Sequence, residues 1–168
     1  ASIKVAGDKF DEAIMKYVRK EHKLMIGERT SEDLKIKIGS AFDRDEEISM
    51  DIRGRDLITG LPKNIKVSSD EMRTALKETV NSIADTARAV LERTPPELSA
   101  DIADKGIFMT GGGALLNGLS NLIQEATNVP VYVAEEPISC VALGTGKVLE
   151  YLDKMEVVFS GDDITLID

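Results

Sequence analysis

The most chemically pointed residues in the chain are Thr110-Gly111-Gly112-Gly113-Ala114, set between a short apolar run, Ile107-Phe108-Met109, and a helical pattern. Consecutive glycines carry no Cβ, so the backbone can approach a flat or charged ligand closely. Amides facing a helix start also favour anions. No Gly-Lys-Ser/Thr follows and the spacing is not Gly-x-Gly-x-x-Gly, so neither common nucleotide loop is present. A tight strand-to-helix turn with no ligand explains these glycines equally well. Two other stretches repeat the theme, Val5-Ala6-Gly7-Asp8 and Ala142-Leu143-Gly144-Thr145-Gly146. In the second, each glycine costs a helix roughly 1 kcal/mol relative to alanine, and close packing against another helix is the expected compensation. Glu32 and Lys35 stand three apart on a helical stretch and share a face. Together they could grip a polar heterocycle or ribose hydroxyls, or simply form an ion pair on a solvated surface.

The elements that must position these groups follow from periodicity. Residues 1–5 read as a strand, Gly7-Asp8 breaks it, and Asp8 can cap a helix with Phe10, Ala13, Ile14, Tyr17 and Val18 on one stripe. His22 near its end suits the negative pole of the helix dipole better than a ligand role. A helix over residues 31–39 follows, capped by Thr30 or Ser31. Ile48, Met50 and Ile52 alternate with polar residues as in a half-buried strand. Further strands flank a turn on Leu61-Pro62-Lys63. Ser68-Ser69-Asp70-Glu71 is a capping box. It opens the longest helix, with Met72, Ala75, Leu76, Thr79, Val80, Ile83, Ala87, Val90 and Leu91 inward, and Thr94-Pro95-Pro96 ends it. Residues 96–101 can start a short helix. Strand, glycine loop, helix (residues 117–126), strand (129–133) and helix (140–152) complete an α/β unit with parallel pairing. The tail, residues 156–168, has two strand-like runs. A small α+β lobe over residues 9–67 is expected, inserted into an α/β lobe made of 1–8 and 68–168.

Composition sets limits. The formal net charge is −9, which argues against a nucleic-acid surface, since binding phosphates requires clustered Lys and Arg. The basic stretch at residues 16–23 reads as the solvated side of a helix. One cysteine, Cys140, excludes an internal disulfide framework and suits a reducing cytoplasm. With a single histidine there is no zinc cluster of the usual kind. No apolar run approaches the roughly 18 residues of a membrane span.

Several stretches, in this order, resemble the MreB family of bacterial actins. They are Ile3-Lys4-Val5-Ala6-Gly7-Asp8-Lys9-Phe10, Leu24-Met25-Ile26-Gly27-Glu28-Arg29-Thr30, Ile38-Gly39-Ser40-Ala41, and Arg53-Gly54-Arg55-Asp56-Leu57 through Gly60-Leu61-Pro62-Lys63. Thr94-Pro95-Pro96-Glu97-Leu98, Gly106 through Leu119, and Cys140-Val141-Ala142-Leu143-Gly144-Thr145-Gly146 complete the match. The resemblance ends after Met155.

The resemblance implies an actin-like ATPase fold with the ribonuclease H-like motif, of which this chain carries only the second half. The lobe over residues 9–67 corresponds to subdomain IIB and the rest to an incomplete IIA. It places Gly111, Gly112 and Gly113 against the adenosine of ATP, with Leu115 and Leu116 beside the base. Glu32 and Lys35 fall on the other side of base and ribose, and Gly7 close to the nucleotide. It also places Ala142 through Gly146 on a connecting helix where two domains hinge. The phosphate loops, the Mg²⁺-linked aspartates and the residue that positions water belong upstream of Ala1, so this chain alone should not hydrolyse ATP. The parent would polymerise head to tail at the inner face of the membrane. It would recruit a RodZ-type adaptor and the wall-synthesis machinery, and touch lipid only through the first domain. Two rivals share the residues: half of an actin-fold small-molecule kinase, which lacks an evident general base here, and an interaction module that never meets nucleotide.

Overall fold

The computed structural model describes residues 1–150; the strand-like runs of the tail lie outside the described residues. Helix α1 (Gly7–His22) buries Phe10, Ile14 and Val18, spaced by four, so one stripe faces inward. Strand β1 (Leu24–Met25) leads into α2 (Glu28–Ile38), which buries Ser31, Leu34 and Ile38. This helix starts one turn earlier than its expected cap. Gly27 is the N-cap, and Ser31, already inside the helix, donates its hydroxyl to the Glu28 carbonyl at 2.8 Å.

Strands β2 (Ser49–Asp56) and β3 (Pro62–Ser68) form an antiparallel hairpin, and β1 pairs with the end of β2. The turn lies before Leu61, not on Leu61-Pro62-Lys63. Asp56 decides this, because its Oδ1 accepts the backbone N–H groups of Ile58 (2.7 Å) and Thr59 (3.0 Å). Gly60 supplies a φ of 75°, and Pro62 takes the first strand position, where proline is tolerated. Lys63 Nζ lies 3.0 Å from Asp56 Oδ2. Hydrogen bonds from Thr59 and Ile58, then Lys63, lower the Asp56 pKa to about 2.

Helix α3 (Ser69–Leu91) begins with the expected capping box: Glu71 N–H donates to Ser68 Oγ and Ser68 N–H to Glu71 Oε2. It buries Met72, Leu76, Val80 and Ala84. Val90, expected inward, is exposed, since the helix outruns the elements that cover it. His22 does more than meet a dipole. Its Nε2 lies 2.5 Å from Glu71 Oε1, tying the end of α1 to the cap of α3. Helix α4 (Pro96–Lys105) extends one turn beyond expectation.

The last third is strand β4 (Ile107–Met109), a single 3₁₀ turn over Gly112–Leu115, helix α5 (Leu119–Thr127), strand β5 (Val131–Val133) and helix α6 (Cys140–Glu150). Strands β4 and β5 are parallel, Ile107 opposite Val131, as the strand–helix–strand order requires. One buried cluster runs from Phe10, Leu24, Leu34, Ile52 and Val67 through Met72, Leu76 and Val80 to Leu116, Leu119 and Ile123. It therefore spans both expected lobes.

Two further expectations fail. Residues 1–6 pair with no strand among the described residues, because an extended segment forms a ladder only where a neighbour supplies partners. Helix α6 buries no residue, and a Cβ on Gly144 or Gly146 would meet nothing within 4 Å. Its glycines are thus not packed against a helix among the described residues, and Val141, Leu143 and Leu149 are exposed.

Leu76 is fully buried and Val90 is not. Leu76→Ala should therefore cost about 2–5 kcal/mol in urea unfolding and Val90→Ala well under half of that. A second outcome concerns acid. The folded pKa of Asp56 lies below its ordinary value of 3.8, so its contribution is complete above pH ~4 and is lost as pH falls towards ~2. Denaturant titrations across that window should show a smaller loss of stability in Asp56→Asn than in the parent.

Candidate functional site

Two of the expected site residues, Gly7 and Lys35, meet at the first turn of α1. Gly7 and Asp11 stand four apart and share a face of the helix. Lys35 reaches them from α2: its Nζ donates to Asp11 Oδ2 at 2.8 Å, and both side chains are only 16% exposed. A Cβ on Gly7 would sit 3.5 Å from that ammonium, so glycine leaves room where the lysine ends. Lys35 therefore pairs across helices with Asp11 and not along its own helix with Glu32. Glu32 is exposed and makes no ion pair among the described residues. Glu32 and Lys35 stand three residues apart along α2, one turn of the helix.

The glycine loop reaches the same turn through Phe10. A Cβ on Gly113 would lie 3.9 Å from the Phe10 ring, whereas at Gly111 and Gly112 it would meet nothing within 4 Å. Gly111 has φ 83° and its N–H donates to the Pro137 carbonyl at 2.6 Å. The loop is thus a short 3₁₀ turn with its backbone open at Gly111 and Gly112. Tight packing against the chain's own atoms does not explain the missing side chains there. The two leucines after it divide: Leu115 is 57% exposed, while Leu116 is 7% exposed and belongs to the core. Leu115 is therefore available to a ligand face, and Leu116 anchors the loop from beneath.

What locks the loop to the α2 side is a contact invisible to periodicity. Ser40 and Asn117 form an isolated parallel bridge. Ala41 N–H donates to the Asn117 carbonyl at 2.8 Å, and Ser40 Oγ to Asn117 Oδ1 at 2.9 Å. Gly118 follows with φ 71°, and a Cβ there would lie 2.5 Å from the Phe42 Cβ. Gly39 is equally constrained, since its Cβ would run into the Lys35 carbonyl. The only signal in the sequence was that Gly39-Ser40 and Asn117-Gly118 both fall inside the family-like stretches.

The model of the MreB/Mbl protein family matches residues 1–157. The chain belongs to the MreB/Mbl family. The cell shape-determining protein Mbl of Bacillus subtilis (strain 168) is 58% identical over 157 residues, covering 92% of this chain and 46% of that protein. The cell shape-determining protein MreB of Escherichia coli (strain K12) is 46% identical over 153 residues, 91% of this chain and 44% of that protein. The structure is similar to that of MreB 5 of Spiroplasma citri bound to AMPPNP, with a TM-score of 0.87 and 42% identity over 92% of this chain and 46% of that one. The MamK double helical filament shares the fold at TM-score 0.65 and 18% identity. The chain spans about half the length of the curated relatives it matches. Its fold is therefore half of the α/β actin-like fold, as the MreB-like motifs implied.

Glycines that pack and glycines that merely leave space separate experimentally. Gly118→Ala combines a left-handed backbone, about 1–2 kcal/mol, with a clash, and should destabilise the chain by more than that. Gly112→Ala should shift the unfolding free energy by no more than about 0.5–1 kcal/mol. Urea unfolding of the two variants beside the parent measures the contrast.

Proposed function

We propose that this chain forms the adenosine side of an ATP cleft in a filament-forming cell-shape protein of the MreB/Mbl family. The observation that carries this reading is the open glycine loop beside the first turn of α1, with Lys35 held against Gly7 on the opposite flank. Solved relatives bind AMPPNP and ADP at 42% identity, which supports nucleotide as the ligand. Gly111, Gly112 and Gly113 would let the backbone lie against the purine and ribose. Leu115 would cover the base, with Leu116 holding the loop from the core. Glu32 would accept from ribose or base donors, and Lys35 would donate to polar atoms near Gly7. Burial of the base between loop and α2 would exclude water from that side.

No group of three or more His, Cys, Asp and Glu among the described residues is placed to hold a metal ion. ATP with Mg²⁺ would supply a phosphoryl group for hydrolysis, and the groups that act on it would belong to the length of the relatives that this chain does not span. In the complete protein, nucleotide occupancy would favour head-to-tail assembly. Residues 9–67 would act as subdomain IIB, and the rest as subdomain IIA. The filament would lie at the cytoplasmic face of the membrane and organise wall synthesis through a RodZ-type adaptor. No helix among the described residues is long and apolar enough to cross a membrane, so attachment would come through other parts or partners.

In a protein spanning the full length of its relatives, Gly112→Val should weaken ATP binding at least about tenfold with an unchanged nucleotide-free unfolding midpoint. Unchanged ATP affinity would remove the loop from the site. Sedimentation with and without ATP separates the filament reading from a kinase or an interaction module, because only the filament reading requires ATP-dependent pelleting.

A further inference from the structure

We propose that Asp11 is a positioning residue: it holds the Lys35 ammonium against Gly7, in the orientation from which Lys35 meets the nucleotide. The proposal rests on the reading of Lys35 as a nucleotide contact. Lysine has three donors and no preferred planar geometry, so an unpaired Lys35 would sample many rotamers. The 2.8 Å bond to Asp11 Oδ2 fixes Nζ with one donor and is its only hydrogen bond among the described residues. Two donors stay free beside Gly7, where a Cβ would stand 3.5 Å away.

Electrostatics give Asp11 the same task. The N-terminal end of α1 carries roughly half a positive charge, which repels an ammonium brought next to Gly7. A carboxylate one turn along the same face offsets that repulsion, and without it the lysine would turn out to solvent. Stability is the weaker explanation of the pair. Desolvation of two side chains that are 16% exposed cancels much of their attraction. Asp11 has no competing structural duty either, since its Oδ1 is buried and makes no hydrogen bond. Asp11 Oδ1 is buried and Oδ2 is taken by Lys35, so the influence of Asp11 passes through Lys35.

The test is a double-mutant cycle in a protein spanning the full length of its relatives, with a fluorescent ATP analogue as probe. It uses Asp11→Asn, Lys35→Met, the double variant and Asp11→Glu. Each of the first two should weaken binding by about five- to thirtyfold. The double variant should bind no more weakly than Lys35→Met alone, and Asp11→Glu should recover most of the loss. Unchanged affinity in Lys35→Met overturns the nucleotide reading of Lys35, and this proposal with it. Weakened binding in Lys35→Met with parental affinity in Asp11→Asn overturns the proposal alone. So does a further loss in the double variant, which would mean that Asp11 acts through another group. If Asp11→Asn does not fold, Asp11→Glu decides: near-parental affinity supports orientation by charge, and a loss as large as that of Lys35→Met overturns it.

Discussion

Burial of one stripe of α1 is the constraint on which the rest of the structure depends. Phe10, Ile14 and Val18 are sealed against α2 and α3, and each such side chain contributes about 1.5–3 kcal/mol on leaving water. A helix fixed on one side has no freedom left on the other. Once Phe10 is inside, Gly7 and Asp11 must face α2, and the Gly113 backbone must lie against the Phe10 ring. The candidate site is the rim of the core, and its geometry is inherited from packing.

Polar contacts then act as clamps of low net energy and high specificity. Exposed pairs such as Lys9–Glu12 and Lys20–Glu21 contribute at most about 1 kcal/mol each. The contacts that matter join segments distant in sequence: His22 with Glu71, Lys35 with Asp11, Ser40 with Asn117. The Ser40–Asn117 bridge sets the distance between the end of α2 and the glycine loop. Hydrogen bonds therefore tie the end of α2 to the segment that follows the glycine loop. Apolar side chains left open on α6, with Phe108 and Tyr132 on the short sheet, are surfaces that this half of the family fold does not cover by itself.

Much of this was legible residue by residue. The period-four stripe of α1 and the capping box of α3 appear where local pattern places them, because each is decided by neighbours within one or two turns, and the parallel β4–β5 pair follows from the strand–helix–strand order. The hairpin turn was misplaced because Pro62 looks like a turn residue until Asp56 is seen to hold Ile58 and Thr59. The start of α2 was missed because Ser31 has the chemistry of a cap and is used as a buried helical residue instead. Family membership was legible too, since ordered motifs carry it without reference to contacts.

The sequence by itself determined the family, the main helices, and which glycines could face a ligand, because those properties reside in residue type and short spacing. Tertiary structure alone decided which glycines have open space beside them. Gly111 and Gly112 open on space, while Gly39 and Gly118 are jammed against Lys35 and Phe42, and nothing in the letters distinguishes the two kinds. It also gave Lys35 its partner: Glu32, three residues away, was the pair that spacing offered, and Asp11, on a different helix, is the pair that packing made. A side chain reaches the nearest opposite charge in space, and only the fold sets that distance.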